Sequence, residues 1–192
     1  PDLVKKWIDN EKEVAKQYYK ESPNSLIPLF EGELHNIGFQ FDTSSQAFGL
    51  IPKYQKVILP ISMKYYQLAK ELEKPNEQCY FMRFFYIKNL DNVVPILLED
   101  YYSEKSTDLT RWSISDCIYY IRSKKYMKEY LEIVSNKSFG RNRQMIVLLL
   151  GKLKEESAIP TLIDLLEDEE VRLHAICALS EFRREEFRCY FE

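Results

Sequence analysis

The stretch Phe139-Gly140-Arg141-Asn142-Arg143-Gln144-Met145-Ile146-Val147-Leu148-Leu149-Leu150-Gly151-Lys152-Leu153-Lys154, continued by Ile159-Pro160-Thr161-Leu162-Ile163-Asp164-Leu165-Leu166, decides the fold. Turn-forming residues open it, an apolar run of helical length follows, and a proline stands at the head of a second apolar run. Proline suits the first turn of a helix, because the N–H it lacks would find no intrahelical acceptor there. Two short helices joined by a turn are the reading, and neither hides its apolar side alone.

The pattern recurs on both sides. Apolar–proline–apolar cores stand at Leu26-Ile27-Pro28-Leu29-Phe30, Ile58-Leu59-Pro60-Ile61 and Val93-Val94-Pro95-Ile96-Leu97-Leu98, and again around Pro160. Their prolines are separated by 32, 35 and 65 residues, and the last gap is close to two periods. The missing member is expected near Lys128, inside Tyr126-Met127-Lys128-Glu129-Tyr130-Leu131. Each core is predicted to start the second helix of a repeat. The first helices keep a register of their own, with Arg111, Arg143 and Arg172 placed 32 and 29 residues apart. Three positions after each Arg come Ile114, Ile146 and Ala175; seven after, Ile118, Leu150 and Leu179; ten after, Ile121, Leu153 and Phe182. Recurrence at three and seven marks one face of a helix. Ser106-Thr107-Asp108, Asn136-Lys137-Ser138-Phe139-Gly140 and Glu167-Asp168-Glu169-Glu170 separate the units and carry cap chemistry.

The N-terminal quarter is less regular. Leu3, Trp7, Val14 and Tyr18 predict a charged helix over residues 2–21, broken by Ser22-Pro23-Asn24-Ser25. A loop or short helix is expected between Thr43-Ser44-Ser45 and Ile51-Pro52, then helices near 54–70 and 76–88. The whole is expected to form one domain over residues 1–192, with 1–52 a less regular helical cap and 53–192 the repeats. The last repeat is expected to be cut short, and the opening Pro1-Asp2-Leu3 to belong to something longer.

Composition agrees. With 192 residues, 45% of them hydrophobic, the chain can bury a sizeable core. Only 5 glycines occur, too few for a turn-rich sandwich or a phosphate-cradling loop fold. Net charge is −3, which leans against nucleic acid as the partner. Cys79, Cys117, Cys177 and Cys189 show no CxxC spacing, and Cys117 and Cys177 lie within apolar helical patterns. They read as reduced core residues of a cytoplasmic protein. His35 and His174 have no partner at metal-ligand spacing, so no metal and no cofactor are expected.

From about Glu33 to Phe182 the sequence resembles bacterial HEAT-repeat proteins. The residues carrying the resemblance are the stretch quoted first, its continuation through Val171, then His174-Ala175-Ile176-Cys177-Ala178-Leu179, with Leu34-His35-Asn36-Ile37-Gly38-Phe39 as a leading segment. The resemblance implies an all-α, HEAT-like α-α superhelix, a solenoid of about five helix pairs used mainly for binding. A protein partner is expected and catalysis is not. His174, at the place held by Ser113 and Met145 in other repeats, is expected to be a satisfied, buried or half-buried imidazole.

One constellation points to sharper chemistry. Trp112 and Asp116 are four residues apart and share a helix face turned away from Ile114, Cys117, Ile118 and Ile121. Arg141 and Arg143 open the next first helix. A Trp, an Asp and an Arg on successive helices is similar to the cleft of HEAT-repeat alkylpurine DNA glycosylases. That likeness implies an aromatic and a carboxylate facing a damaged nucleotide, the carboxylate stabilising positive charge on the sugar as the base departs. Residues 122–143 hold seven basic side chains against Glu129 and Glu132, a stripe suited to phosphates. The competing reading is structural: Trp112 fills a gap between repeats, and the arginines form a ladder with Asp108, Asp116 or Asp168. For a protein partner, second helices are expected to present Tyr101, Tyr102, Tyr126 and Tyr130 among charges, a mixture that suits an interface. The candidate binding residues are therefore Trp112, Asp116, Tyr126, Tyr130, Arg141 and Arg143.

Overall fold

The computed structural model describes residues 24–190, together with Lys6 and Glu13. Among the described residues there is no strand, and the chain divides into two compact units, residues 1–84 and 85–192. The sequence points to one domain, with the repeats starting at residue 53. The helix expected over 2–21 lies outside the described residues, except for the helical Lys6 and Glu13.

The first unit holds α1 (Ile27–Asn36), α2 (Ser44–Gly49), α3 (Ile51–Glu71) and α4 (Pro75–Met82). Pro28, Pro52 and Pro75 sit in first turns, as proline chemistry favours. Pro60 does not: it lies inside α3 and starts nothing. The helix survives it because the flanking apolar residues stay on one buried stripe, with Ile58 and Tyr65 packed inward. Thr43 caps α2, its hydroxyl accepting from the Gln46 N–H at 3.3 Å. Phe30 is the hub of this core, with ring centroids of Tyr65, Phe81 and Phe84 at 5.5, 5.3 and 4.8 Å.

The second unit holds α5 (Val94–Tyr102), α6 (Asp108–Ile121), α7 (Met127–Ser135), α8 (Gln144–Leu153), α9 (Ile159–Asp164) and α10 (Arg172–Ser180). First helices α6, α8 and α10 pack side by side in sequence order, while α5 packs on α6, α7 on α8 and α9 on α10. This is an all-α solenoid of HEAT type. Pro95 and Pro160 stand in the first turns of α5 and α9, and α7 begins at Met127, where the missing member was expected. Ile114, Ile118, Ile121, Ile146, Leu150, Leu153, Ala175 and Leu179 are all buried, so the predicted stripe is the core; Phe182 is half-buried. Cys117 belongs to that core, but Cys177 is exposed. It sits five positions after Arg172, in register with Asp116 and Leu148, on the side turned away from the stripe.

The separators act as caps. Thr107 accepts from the Thr110 N–H, Asn136 from the Ser138 N–H, and Asp168 from the Glu170 N–H, at 3.1, 3.0 and 3.1 Å. Gly140 has φ +51°, a left-handed conformation that suits glycine, and a Cβ there would stand 3.0 Å from Glu170 Oε2. Phe187, after α10, is buried and stacks edge-on against Phe182, so residues 182–187 cover the end of this core.

Candidate functional site

The site is built on α6. Thr107 starts the helix, Ile114, Cys117, Ile118 and Ile121 anchor its inner side, and the chain turns at Arg122 in a left-handed conformation, φ +56°. With the inner stripe fixed, helical geometry places Leu109, Trp112, Asp116 and Tyr120 within about 80° of one another on the outer side, at 3.6 residues per turn. Leu109, Trp112 and Tyr120 are 47%, 42% and 48% exposed. Tyr86 is folded onto this face: its hydroxyl donates to Asp116 Oδ2 at 2.7 Å, and its ring stacks on Tyr120 at 4.7 Å and 21°. Tyr119 meets Tyr120 edge-on at 5.8 Å, with the Arg122 guanidinium 5.6 Å from the Tyr119 ring. Two first helices along, Leu173 stands 72% exposed at the repeat position of Trp112, the residue after the register arginine. The result is an outward aromatic and apolar face with polar edges.

The other candidates divide. Tyr126 is half-buried and donates its hydroxyl to the Asp91 carbonyl at 3.1 Å. Arg141 is exposed. Tyr130 and Tyr101 are fully buried, which corrects their expected place on a binding surface; Tyr102 alone of that pair of neighbours is exposed. They fall on the inner stripes Val94, Leu97, Leu98, Tyr101 and Tyr130, Ile133, Val134, and so pack as core residues. Burial pushes both phenols well above the usual tyrosine range. His174 is half-buried as expected, but its Nδ1 is buried without a partner among the described residues, and burial lowers its pKa.

Arg143 is the larger correction. Only 1% exposed, it donates from Nε to the Gly140 carbonyl at 2.8 Å, and from Nη1 to the Val134 carbonyl at 3.0 Å and Asp168 Oδ2 at 2.9 Å. Arg111 likewise donates to the Tyr101 and Ser103 carbonyls, and Arg172 to the Leu166 carbonyl. The recurring arginine thus meets the carbonyls that end the preceding second helix, where cations are favoured. An acid completes the ladder at Asp168. Of the Trp–Asp–Arg constellation, Arg143 is sealed away and Asp116 accepts from Tyr86, while Trp112 and Arg141 stay exposed. Four of the seven cations of the basic stripe, Lys124, Lys125, Lys128 and Arg143, pair with Glu155, Asp91, Glu132 and Asp168. Among the described residues no group of His, Cys, Asp and Glu is placed to hold a metal ion, and no helix is long and apolar enough to cross a membrane.

Comparison with known proteins bears on the same region. Residues 127–188 match the family of HEAT repeats. That segment starts with α7, takes in α8, α9 and α10, and ends in the turn beyond, so it carries the Arg143 and Arg172 registers. No curated protein and no solved structure is similar enough to the chain to match it. The HEAT repeats give the scaffold, while the aromatic face on α6 lies ahead of the matched segment. Tyr86, Lys88, Asp91 and Lys152 escaped the sequence reading; only the recurrence of a basic residue eleven positions after each register arginine, at Arg122, Lys154 and Arg183, hinted that these helix ends are alike. All three are left-handed, at φ 56°, 54° and 54°.

Proposed function

We propose that the chain is a non-catalytic recognition module that binds a protein partner on the outer face of α6. The observation carrying this reading is the exposure of Trp112 beside Leu109 and Tyr120, on a helix whose inner side already has a full set of core contacts. Of the Trp112 surface 42% stays in water and adds nothing to folding; covered by a partner, that apolar area is removed from water at roughly 25 cal/mol per Å². Aromatic residues are enriched at the centres of protein interfaces, and single aromatic anchors often dominate their energetics. Tyr86, tied to Asp116 and stacked on Tyr120, adds a rigid edge at little cost in side-chain entropy. In this reading Arg141 and Tyr126 contribute from outside α6.

The test is site-specific photocrosslinking at Leu109 and Trp112 in the native host, followed by mass spectrometry. One protein adduct is expected at both positions. With an aromatic crosslinker at Leu109, Trp112→Ala and Tyr120→Ala should each abolish the adduct while leaving the thermal melt in place, since surface changes usually move stability by no more than about 0.5 kcal/mol. Adducts that differ between the two positions, or persist in the variants, would sink the reading.

A further inference from the structure

A second site lies where the first helices end. A pocket of about 390 Å³ opens beside the C-termini of α6 and α8, and Lys88, Arg122, Lys124, Lys125 and Lys152 line it with one carboxylate, Asp91. In a chain of net charge −3, five cations around one cavity are a local reversal of sign. Their pairing is incomplete. Lys125 meets Asp91 at 2.7 Å, Lys124 meets Glu155 at 2.5 Å, and Lys152 is bonded to Glu181. Lys88 and Arg122 have no acidic partner among the described residues, and Arg122 lies near enough to Lys152 for the two charges to repel.

Basic residues often gather at helix C-termini to meet free carbonyls. Here backbone amides already fill that role. The Arg122 N–H donates to the Ile118 carbonyl at 3.0 Å, the Asn89 N–H to the Ile121 carbonyl at 2.8 Å, and the Lys154 N–H to the Leu150 and Gly151 carbonyls at 3.2 Å. The side-chain charges are thus left over. Five cations against Asp91, Glu155 and Glu181 leave two positive charges, and a single carboxylate would neutralise one of them. A phosphate monoester, with about −1.5 to −2 charges at neutral pH and three acceptor oxygens, matches both. The guanidinium of Arg122 offers the paired donors that phosphate geometry favours, and Lys88 a mobile point charge.

From this we infer that the pocket is a binding site for a phosphate-monoester dianion, carried by a small phosphate ester or by a phosphorylated side chain of a protein. The site adjoins the α6 aromatic face through Arg122, whose guanidinium lies 5.6 Å from the Tyr119 ring, but it makes no use of Leu109, Trp112 or Tyr120.

The full chain is titrated at pH 7.5 with phenyl phosphate, inorganic phosphate, and a labelled phosphoserine peptide with neutral flanks. The serine and glutamate forms of the peptide, and a short single-stranded oligonucleotide, complete the set. Saturable binding of phenyl phosphate or the phosphopeptide is expected, with the glutamate peptide at least tenfold weaker. Lys88→Gln combined with Arg122→Asn, which keeps a residue tolerant of the left-handed turn, should weaken it at least tenfold. Lys88→Glu alone, on an exposed loop, should do likewise, while Lys128→Gln outside the pocket stays within twofold. A phosphopeptide that binds more tightly than phenyl phosphate points to a protein source, and equal affinities to a small ester; both support the site. Trp112→Ala should leave phosphate binding intact, so loss of either site is read separately. Absence of saturable binding by every phosphate probe, or unchanged affinity in folded Lys88 and Arg122 variants, overturns the inference. So does an oligonucleotide that binds more tightly than the phosphopeptide through the same residues.

Discussion

At Arg143 a planar guanidinium finds acceptors from three stretches of chain: the end of α7, the turn at Gly140 and the acidic turn before α10. Desolvating such a charge is costly, and the partners offset that cost only as a set. Asp168→Asn is therefore expected to destabilise the protein by about 3 kcal/mol, checked by denaturant unfolding, because it leaves the buried cation with only the longer 3.8 Å pairing to Glu170 as counter-charge. The pair also fixes a pH response. Hydrogen bonding from Arg143, together with the Glu170 N–H, holds the Asp168 carboxyl below its ordinary value despite the opposing effect of burial. A carboxyl depressed on folding contributes stability that is whole above its unfolded pKa, about 3.9, and lost as pH falls through the lower folded value. Unfolding followed from pH 6 downward should show a steeper acid loss in the parent than in Asp168→Asn; identical slopes would remove Asp168 from the account. The recurrence of Arg111, Arg143 and Arg172 is legible in the sequence, and so is an acid among their partners. That Arg143 is sealed inside was not legible, because its acceptors are carbonyls, which every residue carries and no sequence distinguishes.

Among the helices, the tightest constraint is the approach of α8 to α10. A Cβ on Gly151 would stand 2.5 Å from both the Cα and the carbonyl oxygen of Ala178, too close for any real contact. Replacing an interior helical glycine by alanine ordinarily stabilises by about 1 kcal/mol. Gly151→Ala is expected to do the reverse, lowering stability by about 1–3 kcal/mol through overpacking, with a lower melting temperature as the readout. A rise in melting temperature would show that the two helices separate freely. Helix starts at Pro95 and Pro160 and the buried stripes were readable because proline and apolar spacing act within one or two turns. Pro60 was misread for the same reason: locally it looks like the other three, and only packing carries α3 past it. Tyr101 and Tyr130 are expected on the surface because charged residues surround them in sequence, although their spacing on the inner stripes points to the core.

Across the molecule, residues 85–192 form a compact unit with its own buried stripe and its own ladder of caps. Solenoid stability is approximately a sum of repeat and neighbour contributions, so this segment expressed alone is expected to be helical and to melt cooperatively. Circular dichroism checks it, and a fragment without a cooperative transition would mean that these repeats need residues 1–84 to fold. Acting alone, the sequence determined the helical class, the period near 32 residues, the arginine register and the inner face of each first helix. All of these follow from spacing along the chain, which is local. Tertiary structure decided which side chains are committed and which remain: Arg143 and Asp116 are held by partners, Arg122 and Lys88 have no acidic partner among the described residues, and Trp112 keeps 42% of its surface exposed. The physical reason is that exposure and charge balance depend on what residues tens of positions away bring alongside, and helical periodicity carries no record of that.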